Sequence, residues 1–333
     1  MVLVVQCHIA HNEMDKNFKV ITPIKQTFMP KFERFEPLAR DSTAICAFKQ
    51  CDRKYFFQIV LGFRVPKGGV MIYLPFGSCY HVFRHHLELQ FKIHGLMNLD
   101  KCLTPAWKEA EKGWPGNPLP GSSKWDYLTK EYLLVACLIA FNHWKNEKIS
   151  GIYEILAVEQ PFEVALDDGR TSGGKADVLL RWNSDPWGKD FKTTGKLPQW
   201  YERSELDPKD QFIRYTHGES VLIGEQIKGQ IVEVLFHHKV TKTHDGKPFI
   251  RSFIIGYTPS QIQRWKNEQT IVERQIDICR EEDVWPAKET FCSYCDYHSV
   301  CKMGTERGMA AKLQQNFIQK HWDFKNIDNT VEK

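Results

Sequence analysis

Near the end of a 333-residue chain, the stretch FCSYCDYHSVC at 291–301 holds Cys292, Cys295 and Cys301. Thiols at C-x2-C-x5-C spacing read as metal ligands rather than disulfide partners in a chain with no sign of export. Three sulfurs leave a tetrahedral site one ligand short. Two residues compete for the fourth place: His298 inside the stretch, and Cys51 far upstream in FKQCDRKYFF. A local site asks nothing of the rest of the fold, whereas the distant one ties the first helices to the end of the chain.

Composition narrows the classes. Apolar residues make up 42% and aromatics 13%, enough for a substantial core and against wholesale disorder. A formal charge of +4 neither demands nor opposes a nucleic-acid partner, because a local basic groove matters more than the total. No run approaches the roughly 20 apolar residues of a membrane span. The opening MVLVV lacks a basic leader and breaks after five residues, so it does not read as a signal peptide. Ten cysteines without such a signal place the chain in a reducing, cytoplasmic compartment. Cys7, Cys46, Cys79, Cys102, Cys137 and Cys279 are scattered and read as ordinary thiols.

Along the chain, residues 1–40 read as an N-terminal arm interrupted by prolines. Asp41 and Ser42 are N-caps for one helix through TAICAFKQCDRKYFFQIV; a second helix, YLPFGSCYHVFRHHLELQFKIHG, is entered after Gly77 and closes near Gly95. KGWPGNPLPGSSKW reads as a surface loop, and KWDYLTKEYLLVACLIAFNHWKNEK as a buried helix with apolar residues on nearly every face. From about residue 152 the texture changes to short strands: YEILAVEQPFEVAL, TSGGKADVLLRW and KDFKTT, separated by the turn sequences DDGR and NSDPWG. A helix capped by Asp207 with Pro208 in its first turn follows, then a hairpin across THDGK and an amphipathic helix from Ser260 to about Glu282. Helices, then strands, then helices argue for an α/β or α+β core with helical additions.

Chemistry concentrates in the meander. Asp177 lies mid-strand, where a carboxylate is expensive unless it binds something. Asp190 and Lys192 begin the next strand one residue apart and therefore share a face. If the turn pairs these strands, both carboxylates converge beside Lys192. Two carboxylates at one point need a cation, and oxygen ligands suit Mg2+ or Mn2+. An isolated D-x-K pair reads first as an ion pair on a solvated strand, and its weight comes from its neighbours. His81 taken alone reads as a core histidine; His85, four residues on, faces the same way, but no third ligand for a zinc pair is evident.

GGKADVLL…KDFKTTGK resembles motifs II and III of the PD-(D/E)XK nuclease superfamily, G-x-x-D followed by D-x-K-T. QFIRY resembles the Q-x-x-x-Y signature of its RecB-like branch, through Gln211 and Tyr215. His81 in FGSCYHVF matches that family's helical metal-ligand histidine, and Glu159 in AVEQPF its motif I acid. CDRKYFF and CSYCDYHSVC resemble the iron–sulfur branch, which includes CRISPR-associated RecB-like exonucleases and the AddB nuclease domain; Asp52 stands where proline is usual. The resemblance implies a 4Fe–4S cluster on Cys51, Cys292, Cys295 and Cys301, clasping the two ends of the chain around the core. The competing site is zinc on Cys292, Cys295, His298 and Cys301.

The implied fold is a restriction-endonuclease-like α/β (α+β) core sheet flanked by helices, with a helical insertion. One nuclease domain spans 41–305, comprising a helical part (41–150), a catalytic core (151–258) and the helix with its cysteine cluster (259–305); 306–333 reads as a tail. The implied activity is a metal-dependent deoxyribonuclease, expected to be a single-strand exonuclease in DNA repair, recombination, CRISPR adaptation or phage DNA processing. Asp177, Asp190, His81 and the Phe191 carbonyl would hold Mg2+ or Mn2+, Lys192 would act on water and phosphate, and Gln211 and Tyr215 would steady the DNA or the helix. The partner is DNA, with protein partners in a processing complex. The rival reading is an inactive or zinc-stabilised DNA-binding scaffold on the same fold.

Overall fold

A computed structural model describes residues 32–35, 37, 39–66, 72–119, 121, 123–151, 153–206, 210–242 and 244–325. Most of the expected N-terminal arm, the Asp207 cap, Pro208 and residues 326–333 lie outside them. The chain enters through β1 (Ala39–Arg40), α1 (Ser42–Gln50), α2 (Asp52–Tyr55) and β2 (Phe63–Arg64), then α3 (Tyr73–His94), α4 (Leu103–Lys112) and α5 (Lys130–Ser150). The meander follows as β3 (Tyr153–Ala165), β4 (Thr171–Trp182) and β5 (Asp185–Thr194). After α6 (Pro198–Tyr201) and α7 (Asp210–Ile223) come β6 (Gln230–Phe236), β7 (Phe249–Ile255) and α8 (Pro259–Glu282). The end is α9 (His298–Cys301), α10 (Glu306–Asn316) and β8 (Ile318–Gln319). Among the described residues, no helix is long and apolar enough to cross a membrane.

One mixed sheet organises the chain. β3, β4 and β5 are antiparallel neighbours, β5 and β6 run parallel, and β7 returns antiparallel at the edge. The β4–β5 hairpin closes on Asn183 and Ser184, with φ of 50° and 74°, a two-residue turn that suits right-twisted strands. β5 stays paired with β4 only as far as Val178↔Lys189, while β1 joins β4 further back at Thr171 and Ser172. Between those contacts the sheet splits, and Asp177 and Asp190 lie at the mouth of the split.

Helices cover both faces. α3, α4 and α5 bury Phe83, Leu87, Trp144 and Val178 on one side. α7 and α8 bury Phe212, Val232, Val234 and Trp265 on the other. A third apolar cluster joins α1 and α2 to Trp285, Tyr297, Val300 and Leu313, so the first helices pack directly on the cysteine-bearing end. This is the mixed α/β sandwich expected from the alternation of patterns.

Several local expectations give way to tertiary contacts. The single helix expected through Cys51 is broken there: Cys51 is extended, with φ −169° and ψ 126°. Its neighbour Arg53 donates its backbone N–H to Pro286 O (3.1 Å), so residues from the far end of the chain set the break. α3 begins at Tyr73, before Gly77. Leu134, Val135 and Leu138 leave α5 with an exposed apolar flank, so that helix is not buried all round. Residues expected as a tail carry α10 and β8, and β8 pairs with β2.

Candidate active site

Three strands place three acids in a row. Glu159 falls opposite Asp177 in the β3–β4 register that runs Val158↔Val178 and Gln160↔Ala176. Asp190 follows Lys189, which pairs with Val178. Where the β4–β5 ladder ends, the Phe191 backbone N–H donates to Asp177 Oδ2 (2.9 Å), so a side chain replaces the missing backbone acceptor. Glu159 has φ 52°, a left-handed conformation costly for a residue with a Cβ and often kept at functional sites.

Lys192 Nζ lies 2.6 Å from Asp190 Oδ2, and Gln211 Nε2 donates to Asp190 Oδ1 at 3.1 Å. His81, on α3, brings Nδ1 to 3.5 Å from Asp177 Oδ2. Gln211 and Tyr215 lie on α7, and the Tyr215 ring packs edge-on against Phe162, 5.8 Å between centroids. Gly174 permits this, since a Cβ there would meet both rings, at 2.5 Å from Phe162 and 3.0 Å from Tyr215. His81, Glu159, Asp177, Lys192, Gln211 and Tyr215 all line one cleft of about 480 Å3. Asp190 lies just beneath them, 1% exposed.

Electrostatics mark the carboxylates as costly. Burial pushes Asp177 and Asp190 up to about 6, against the pull of Lys192. Glu159 adds to the rise at Asp177, and Asp177 to the rise at Asp190. Burial and Lys192 lower His81 to about 4, so the imidazole is neutral at physiological pH, the form that ligates metals. Two buried carboxylates, a neutral imidazole and a peptide group make a donor set that suits a hard divalent cation. Asp190 takes Lys192 and Gln211 as partners and also acts on His81 through its charge.

Two residues in this site carried weaker signals. Lys175 pairs with Glu159, which also takes His85 Nδ1 at 3.4 Å, and burial opposed by these two partners leaves Glu159 at about 2. Lys175 precedes Asp177 by two residues in GGKAD, and period-2 alternation was signal enough to find it. Trp322 also lines the cleft, with no local pattern to announce it.

The cleft is not isolated. Ser42, Thr43 and Gln211 belong both to it and to a hollow of about 600 Å3 over α1. Gln50 and Lys54 join that hollow to a third, of about 180 Å3, lined by Cys51, Cys292, Cys295, Cys301 and His298. All four cysteines thus face one space, with no disulfide among them. The Lys288 backbone N–H points at Cys51 Sγ (3.4 Å), and burial raises the Cys295 and Cys301 thiols against the pull of Lys54 and Arg53 respectively. Convergent thiols with an N–H···S contact and nearby cations are a donor set that fits an anionic, thiolate-held metal centre.

Elsewhere, His143, Glu147 and Glu233 are, among the described residues, the one trio of His, Cys, Asp or Glu ligand atoms lying within 4.8 Å of one another. Their charges already have partners. Lys189 reaches Glu147 and Glu233 at 2.7 and 3.0 Å, Arg84 reaches Glu233 at 2.8 Å, and Lys148 reaches Glu88 at 2.9 Å. Three acids matched by three bases form a neutral buried network on the face opposite Asp190. Arg84→Met leaves Glu233 with Lys189 as its one close cation and the buried network one base short, and is expected to lower unfolding free energy by about 3 kcal/mol, read by urea denaturation.

The sequence matches the PD-(D/E)XK nuclease superfamily over residues 42–302, and the chain belongs to that superfamily. Its members are metal-dependent nucleases that use divalent ions such as Mg2+ and act on DNA. Among solved structures, a crystal structure of SSO0001 is 11% identical, with 78% of this chain and 95% of that chain covered and a TM-score of 0.27. No curated protein matches the chain.

Proposed function

We propose that this nuclease is an exonuclease on single-stranded DNA, of the RecB-like branch, with a 4Fe–4S cluster on Cys51, Cys292, Cys295 and Cys301. The observation that carries the catalytic reading is the gathering of His81, Asp177, Lys192 and Gln211 around one cleft, with Asp190 directly beneath. Asp177, Asp190, His81 and the Phe191 carbonyl are assigned to hold a divalent cation, which supplies Lewis-acid stabilisation of the phosphate's developing charge. Lys192 donates to the non-bridging phosphate oxygen and orients the attacking water. Gln211 holds Asp190 by its amide, and Tyr215 braces α7 against β3. Glu159 keeps Lys175 at the rim, where its ammonium meets the incoming backbone.

Single-strand substrate is supported by the hollow that continues the cleft over α1, bordered by Lys49 and Lys54. Such a track suits a flexible strand through phosphate contacts. The cluster is supported by the convergence of Cys51, Cys292, Cys295 and Cys301 on one hollow, because a local zinc site on Cys292, Cys295, His298 and Cys301 has no use for the distant Cys51. DNA repair, recombination, CRISPR adaptation and phage DNA processing each use such an activity in a cytoplasmic complex.

The test is a digest of end-labelled linear and covalently circular single strands with Mn2+ or Mg2+. Linear strands should be degraded, circles should survive, and EDTA should stop the reaction. Cut circles would reassign the protein as an endonuclease, and cleavage unaffected by EDTA would remove the metal from the mechanism.

A further inference from the structure

The superfamily match ends at residue 302, yet chain beyond it reaches the catalytic cleft. Beyond the pairing of β8 with β2, the chain comes into contact with the residue that caps α1. Trp322 Nε1 donates to Asp41 Oδ1 at 3.0 Å, and Asp41 is the N-cap of α1. Two residues on, Phe324 is 5% exposed and lies over Gly173, where a Cβ would come within 2.3 Å of its ring. Gly173 in GGKAD is therefore where the C-terminal segment docks on the strand that carries Asp177.

Phe324 serves as the anchor and Trp322 as the less buried partner. Trp322 is half-buried, packs against the cysteine-end core, and has the Arg64 guanidinium 4.9 Å from its ring centroid. Its indole is pinned at the nitrogen by Asp41 and contacted by a cation, and it contributes to the same cleft wall as His81, Asp177 and Lys192. An aromatic ring fixed before substrate arrives loses little entropy on stacking, and every nucleobase has a face to offer it.

We propose that Trp322 is a substrate-stacking residue that holds a nucleobase next to the scissile phosphate. This rests on the reading of the cleft as a single-strand nuclease site. Stacking sets where the strand stops along the cleft without reading its sequence, and it comes from a segment outside the superfamily match.

The experiment uses linear single-stranded oligonucleotides carrying one abasic nucleotide at successive positions from the labelled end. In wild-type protein, one abasic position should lower kcat/KM about tenfold, the scale of a single aromatic–base stack. Trp322→Leu should lose about tenfold on the intact strand and become indifferent to that abasic position. Trp322→Phe keeps a ring and loses the Asp41 hydrogen bond, so it should cleave and discriminate nearly as wild type does. A residue that only capped α1 would behave in the opposite way, with Phe as damaging as Leu and the abasic profile unchanged. Either an unchanged profile in Trp322→Leu or equal losses in Leu and Phe overturns the proposal. Wild-type protein that cuts no strand at all overturns the nuclease reading, and the stacking role with it.

Discussion

Lys192→Ala should reduce DNA cleavage by about a hundredfold to a thousandfold, and Asp190→Asn by at least as much, while leaving the protein folded and able to bind a single strand. Removing one charge-stabilising donor from a preorganised site costs about 100- to 1,000-fold in rate, and losing a metal ligand costs at least as much. Stability should move the other way or not at all. Asp177 and Asp190 sit at about 6 because burial opposes their charge, so an uncharged amide removes a destabilising group when no cation is bound. Asp177→Asn is therefore expected to melt no lower than wild type in EDTA, with catalysis abolished in Mn2+. Wild-type cleavage by Lys192→Ala would return KDFKTT to an ordinary strand with a solvated ion pair.

Cys51→Ala should cost as much iron as Cys295→Ala, and both variants should be pale, poorly soluble and readily proteolysed. The cysteine hollow is built from α1, α9 and the segment before it, and those pieces share one apolar cluster. Losing a metal centre that joins them withdraws folding free energy as well as chemistry. His298 lines the same hollow, and His298→Ala should retain the wild-type iron content and visible absorption of thiolate-ligated iron. Colourless protein holding one zinc per chain, with Cys51→Ala unaffected, would make His298 the fourth ligand. Iron and zinc analysis of anaerobically purified variants decides the matter.

The legible parts of the fold were those with short-range causes. Period-2 alternation and the turns at DDGR and NSDPWG announced the meander, and two acids in facing strands announced their convergence beside Lys192. Other features depend on residues distant in sequence. TAICAFKQCDRKYFFQIV holds no proline or glycine to end a helix, and only contacts from Pro286 and Lys288 show why Cys51 is extended. The Asp41–Trp322 hydrogen bond spans 281 positions, beyond the reach of any local pattern. Lys189 drew no reading of its own in KDFKTT, and its burial among Glu147 and Glu233 is set by the packing of α3 and α5 on the sheet.

One short helix has the widest consequence. α1 is capped by Asp41 at the cleft and by Cys51 in the cysteine hollow, nine residues that span roughly 14 Å at 1.5 Å per residue. If the cysteines hold the proposed cluster, α1 ties its seat directly to the wall of the cleft. Colour and cutting power should then fade together when the protein stands in air, so that a preparation's hue would gauge its remaining activity.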